Sequence, residues 1–205
     1  SSCIAWLLAR KYLLVFGFVL GLVALARVSV LAADNIKPTR YDAAAVERLL
    51  RPALEKTRLL YGSPVYLRIF KQESALEAWL KAPDGRYHLF KTYPICAWSG
   101  SLGPKLRQGD NQAPEGFYSV GKSQLNPNSR FHLAFNLGYP NAYDRANGRT
   151  GDFLMVHGNC VSIGCYAMGD AAIEEIYTLV AAGLAHGQTS VPVHIFPFRM
   201  TEAAL

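Results

Sequence analysis

The chain has 205 residues, 51% of them hydrophobic and 18% charged, with a formal net charge of +6. That length holds one domain plus a targeting segment. The positive charge suits an anionic partner surface, but no basic run interleaves with aromatics, which excludes nucleic acid as the expected partner.

Arg10 and Lys11 precede fifteen apolar or small residues, Tyr12 to Ala26. This is short for a membrane span and right for the core of a signal peptide. Read on through Arg27 to Ala33, it is long enough to span as an uncleaved anchor, with the positive flank keeping the N-terminus inside. Residues 1–33 are therefore expected to be an apolar helix, cleaved as a signal peptide or kept as an inner-membrane anchor. The rest of the chain would then be extracytoplasmic, in the periplasm.

Residues 34–63 read as a helical linker. Val46, Leu49, Leu50, Leu54 and Leu60 have helical spacing, Thr39 is the candidate cap, Pro52 is expected to break the helix, and Gly62 ends it. Such a helix would be an amphipathic spacer. From Pro64 to Pro197 short strands dominate: Val65 to Phe70, Tyr87 to Cys96 after the Pro83-Asp84-Gly85 turn, Phe117 to Val120, Leu133 to Leu137, Phe153 to Val156, and Val193 to Phe196. Gly100 to Ala113 and Asn141 to Gly151 read as loops and Asn126 to Ser129 as a turn. Asp170 to His186 is an amphipathic helix with Ile173, Ile176, Tyr177 and Val180 on one stripe. Residues 198–205 form a tail. The sum is a mainly β, α+β domain, a sandwich or partly open barrel with one packed helix.

The chemistry concentrates between Leu154 and Met168. An apolar run delivers His157 at its end; Gly158 and Gly164 bracket a turn-rich segment that holds Cys160 and Cys165. A thiol, an imidazole and glycine-permitted backbone suit acyl transfer through a thioester. Cys165, just ahead of a helix, is the candidate nucleophile and His157 the candidate base. The N–H groups of Gly164 and Cys165 are candidates for the oxyanion hole, and Ser162 for a bond across the turn. Three cysteines follow the apolar segment, so at least one is unpaired. Cys96 and Cys160 either form a disulfide, or Cys96 is a small buried hydrophobe in its strand. A zinc site built from His157, Cys160 and Cys165 is the competing reading, but no fourth ligand follows at finger or ribbon spacing.

His157-Gly158 with Ser162-Ile163-Gly164-Cys165 resembles the active-site signature of the L,D-transpeptidase (YkuD-type) catalytic domain family. Upstream, Pro114-Glu115-Gly116-Phe117-Tyr118 is similar to that family's Pro-x-Gly-x-aromatic segment. The runs Gly103 to Asp110 and Asn141-Ala142-Tyr143-Asp144-Arg145 resemble a subgroup of periplasmic murein enzymes. The sequence departs from the usual pattern in three places. His157 and Cys165 are only eight positions apart, Ile163 replaces a second histidine, and Ala167 stands where an arginine is usual.

The resemblance implies a cysteine acyltransferase remodelling peptidoglycan, with no cofactor and no metal. Stem peptides would be the substrate; a wall-linked lipoprotein is a further candidate. It implies that a carbonyl near Gly158 orients His157, and that Ser74 to Ala82, helix-like in composition, is a hairpin strand. Lys105 and Arg107 become candidate anchors for substrate carboxylates and Tyr143 a candidate cleft wall. Two alternatives stay open: a hydrolase of the same family, which the short His–Cys connection and its smaller lid favour, and a binding module that holds peptidoglycan without turnover.

Overall fold

The computed structural model describes residues 40–201; the apolar segment, Thr39 and the end of the tail lie outside them. Among the described residues no helix is long and apolar enough to cross a membrane. The first helix, α1 (Ala43–Lys56), is capped by Asp42, whose carboxylate accepts from the Ala44 and Ala45 N–H groups at 3.0 and 3.1 Å. It runs through Pro52 instead of breaking there. A proline removes one backbone hydrogen bond, and burial of Val46, Leu50 and Leu54, one every fourth residue, offsets that loss.

The strands follow in chain order: β1 (Val65–Phe70), β2 (Ala75–Lys81), β3 (Tyr87–Pro94), β4 (Gly116–Val120), β5 (Leu125–Ser129), β6 (His132–Asn136), β7 (Met155–His157), β8 (Tyr166–Ala167) and β9 (Val191–Phe196). A short helix α2 (Ala142–Ala146) precedes β7, and α3 (Asp170–Ala185) follows β8. Five strands form one sheet in the order β3-β2-β1-β9-β4, and four form a second in the order β5-β6-β7-β8. The fold is mainly β with few helices, α+β, and neither sheet closes into a barrel among the described residues.

The helix-like composition of Ser74 to Ala82 is overridden by pairing on both sides. β2 is antiparallel to β1 and β3, with Leu76, Ala78 and Leu80 buried on one face. Asn126 to Ser129 is strand β5 rather than a turn. Its register against β6 shifts between Asn126 and Ser129, which accommodates Pro127 in an edge strand. The loop expected from Asn141 begins as α2, because Asn141 and Asp144 each bond the other's backbone N–H in a capping box. The strand expected at Phe153 starts two residues later, since Phe153 has φ +52° and cannot join a ladder.

Helix α3 touches β6 and β7 of one sheet and β1 and β9 of the other. The expected stripe is buried, and so are Thr178 and Leu179 beside it. Helix α1 covers part of this surface. It packs on α3, and the Tyr41 hydroxyl meets Thr178 Oγ1 at 2.8 Å. The helix read as a spacer is thus packed into the same compact unit, which begins at Tyr41.

Candidate active site

Strand β7 presents His157 at its C-terminal end, where the parallel partner β8 begins. The register pairs Val156 with Tyr166 and His157 with Ala167, which sets Cys165 opposite Met155. Side chains alternate along a strand, so Cys165, Met155 and His157 share one face. The contacts agree: the Met155 N–H points at Cys165 Sγ, 3.4 Å away, and the thiol lies 3.8 Å from the Phe153 carbonyl. Cys165 is the free cysteine of the described residues, and it is partly exposed.

His157 is 2% exposed and its Nδ1 lies 2.5 Å from the Gly158 carbonyl oxygen. A carbonyl only accepts, so Nδ1 carries the proton and Nε2 keeps its lone pair. The Phe131 ring stacks on the imidazole with centroids 4.7 Å apart. Burial holds the His157 pKa below its ordinary value, against the opposing pull of the Gly158 carbonyl. Burial also pushes the Cys165 thiol up, against the Met155 N–H and the Lys105 charge. At neutral pH the pair therefore rests as thiol and neutral imidazole.

The connection between the two is clamped at several points. Cys160 is disulfide-bonded to Cys96, with Cα atoms 5.3 Å apart. Asn159 N–H donates to Asp170 Oδ1 at 2.7 Å, and the Asn159 carbonyl accepts from Gly169 N–H at 2.8 Å. Gly158 lies tight against Phe131 and Asp170, where an added Cβ would come within 2.7 Å of each. Gly164 has φ +134°, a conformation side chains resist. Its N–H is already bonded to Ser162 Oγ at 3.2 Å, and that hydroxyl donates to the Cys165 carbonyl at 2.7 Å. Of the two oxyanion donors expected, the Gly164 N–H is thus occupied within the turn. With Cys160 in the disulfide, the three-ligand set of the zinc reading is not assembled.

Thiol and imidazole open onto a cleft of about 570 Å³. One wall is the Gly100 to Ala113 loop, through Lys105, Gln108, Gly109 and Asn111; the opposing wall is the β5–β6 hairpin, through Asn126 to Phe131. The loop is built around two charged groups, one of them fully buried. Lys71, fully buried, donates to the carbonyls of Ser101, Gly103 and Ala113 and pairs with Glu115 at 3.0 Å. Asp110 accepts from the Leu106, Arg107 and Gln112 N–H groups and from Lys105 Nζ. Its burial would raise its pKa, but those donors outweigh burial and hold the carboxyl well below the usual range.

Of the three expected substrate contacts, Lys105 lines the cleft, yet its ammonium is held by Asp110 and the Arg107 carbonyl. Arg107 is exposed and lies outside the lining. Tyr143 is also outside it, 66% exposed and under the Arg149 guanidinium at 5.2 Å. Its motif serves another purpose: Asp144 is buried, bonded to Tyr118 and Arg149. Sequence reading missed Phe131, Asp170, Asp110 and Lys71. The Gln108-Gly109-Asp110 turn was a signal for the third; stacking and burial across the chain left none for the others.

What the second sheet carries is thus a thiol and an oriented imidazole on one cleft. The chain belongs to the L,D-transpeptidase catalytic domain family (YkuD), whose sequence model matches residues 73–195. It is 55% identical over 149 residues to the "Putative L,D-transpeptidase YafK" of Escherichia coli K12, covering 73% of this chain and 60% of that protein; the O157:H7 protein of the same name matches equally. The chain thus spans about 60% of the length of these relatives. Among solved structures, the helical cell shape determining protein Pgp2 from Campylobacter jejuni shares the fold, with a TM-score of 0.52 and 20% identity over 78% of this chain and 57% of that one. A point mutant of Pgp2 matches with a TM-score of 0.53 and 23% identity, over 68% and 49%.

Proposed function

We propose that this chain is a cysteine acyltransferase of peptidoglycan stem peptides, working outside the cytoplasm. The observation that carries the reading is the His157 Nδ1–Gly158 contact at 2.5 Å, which leaves Nε2 as a base on the cleft that Cys165 shares. In the reaction Cys165 Sγ attacks an amide carbonyl while His157 Nε2 takes the thiol proton. The imidazolium returns that proton to the departing amine, leaving a thioester. An acceptor then attacks the thioester, His157 takes its proton, and the thiol is restored. The Cys165 N–H is the donor for the oxyanion, joined by Gly164 if its bond to Ser162 opens. A disulfide beside the site and the apolar N-terminal segment both fit an oxidising, extracytoplasmic compartment, the periplasm.

An amine acceptor makes the chain a transpeptidase; water makes it a hydrolase that releases a peptide or a wall-linked lipoprotein. The clamped His157–Cys165 connection favours the hydrolase as a second reading, because it supplies no long insertion to cover the thioester. The test is incubation of the protein with sacculi and a labelled amine, with products identified by mass spectrometry. Cys165→Ala and His157→Ala are expected to lose at least about a thousandfold in turnover. Full turnover by Cys165→Ala would sink the mechanism, and the ratio of labelled adduct to free acid decides between acceptors.

A further inference from the structure

We propose that Arg130 holds an anionic group of the substrate in the cleft that it shares with the thiol. Two cations line the cleft, Lys105 and Arg130. The Lys105 charge is spent inside the wall on Asp110. Arg130 is exposed, and among the described residues it makes no ion pair. Asp152 is the carboxylate of the lining, and it is not paired with Arg130 either. A guanidinium that faces a cleft with its donors unspent is matched by a carboxylate, which accepts two parallel N–H bonds.

The backbone that carries this charge is held by its neighbours, and the charge lies near the candidate base. The guanidinium carbon lies 5.8 Å from the Phe131 ring centroid, and that ring stacks on His157 at 4.7 Å. Cation and candidate base thus contact the same aromatic ring. The hairpin tip is held from both sides: Ser129 Oγ accepts from the Phe131 N–H at 3.0 Å, and His132 Nε2 meets Glu174 of α3 at 2.7 Å. Asn126, Asn128 and Ser129 line the same wall and supply amide and hydroxyl partners for a peptide backbone. Arg130 thus sets which acyl donors are accepted, by requiring a free carboxylate a short distance from the scissile bond.

The substrate named here rests on the acyltransferase reading, whereas the anion site rests on charge and geometry. The experiment separates them by using the full chain with Arg130→Gln and Arg130→Lys. The first readout is alkylation of Cys165 by iodoacetate against iodoacetamide at low salt, followed by peptide mass spectrometry. The iodoacetate-to-iodoacetamide rate ratio is expected to fall about threefold in Arg130→Gln and to be largely kept in Arg130→Lys. The second readout is turnover of a stem tetrapeptide with free carboxylates and of its carboxamide-capped analogue. Arg130→Gln is expected to raise KM on the free acid about tenfold or more with kcat changed by less than about threefold, and to leave the capped peptide unaffected. A KM on the free acid within about twofold of wild type overturns the proposal. Where the wild type turns over no stem peptide, the acyltransferase reading falls and the alkylation ratio alone decides the anion site: a fall in Arg130→Gln upholds it and an unchanged ratio overturns it.

Discussion

Replacing both cysteines of the Cys96–Cys160 disulfide by serine separates what the bridge does for the fold from what the site does for the reaction. The bridge spans 64 positions of sequence. Closing a loop of that size in the unfolded chain is worth about 4 kcal/mol at 25 °C on the chain-entropy estimate. For a domain of this size that corresponds to a melting temperature lower by roughly 8–16 °C. The site should survive the loss below the new melting point. Asn159 stays held by Asp170 and Gly169, and Cys165 by its register opposite Met155. The assay is urea unfolding of the wild type and of Cys96→Ser/Cys160→Ser, with the wild type repeated in dithiothreitol, alongside turnover at 20 °C. Reduced wild type and double variant should coincide, about 4 kcal/mol below the oxidised protein. Oxidised and variant curves within about 1 kcal/mol would refute the loop-closure reasoning. Near-complete loss of turnover in a still-folded variant would show that the clamp, and not the register, positions the nucleophile.

Gly158→Ala would place a methyl 2.7 Å from the Phe131 carbonyl and from Asp170 Oδ1, so the hairpin tip or the start of α3 must shift; a loss of about 1–3 kcal/mol in unfolding is expected, with turnover lowered in the folded fraction. Unchanged stability would mean the contact gives way freely. The raised thiol and lowered imidazole pKa values predict that iodoacetamide labels Cys165 about tenfold faster per pH unit from 6 to 8, with no plateau between 5 and 7. Such a plateau would reveal a standing thiolate–imidazolium pair, and the neutral resting state would be wrong.

The strands with clean alternation were legible, as was the nearness of His157 to Cys165 on one cleft, because both are local. Val65 to Ile69 alternates buried and half-buried as its sequence does. Where the sequence misled, long-range contacts decided. Pro52 sits inside α1 because burial against the domain outweighs one missing hydrogen bond. Thr178 and Leu179 lie off the apolar stripe of α3 yet are buried; α1 packs on α3, and Thr178 meets the Tyr41 hydroxyl just ahead of it. Tyr143 was a candidate cleft wall through the resemblance of its motif. Its neighbour Asp144 shows what the motif builds: a buried carboxylate satisfied by Tyr118 and Arg149, which holds the loop rather than the substrate. Lys71 carried no local signal, since its partners lie thirty to forty-four residues away.

On the proposed acyltransferase reading, the choice between amine and water turns on the cleft walls. The case for hydrolysis begins from the short connection between His157 and Cys165, which leaves no insertion to act as a lid. The Gly100 to Ala113 loop lines the cleft without belonging to that connection. Its carbonyls are held by Lys71 and its N–H groups by Asp110 and Glu115, so its shape is set before any substrate arrives. A preformed wall costs no ordering entropy when an acceptor docks, and it limits the directions from which water reaches the thioester. The missing insertion is therefore weaker evidence for hydrolysis than the sequence alone suggested. What the fixed wall cannot do is close over the acyl-enzyme, and Ile163, 82% exposed at the cleft edge, marks the side that stays open. An acceptor amine long enough to lie between loop and hairpin would exclude water from that side by its own bulk, whereas a short amine would not. Partition should thus rise with acceptor length at constant amine basicity, a dependence that a site committed to hydrolysis would lack.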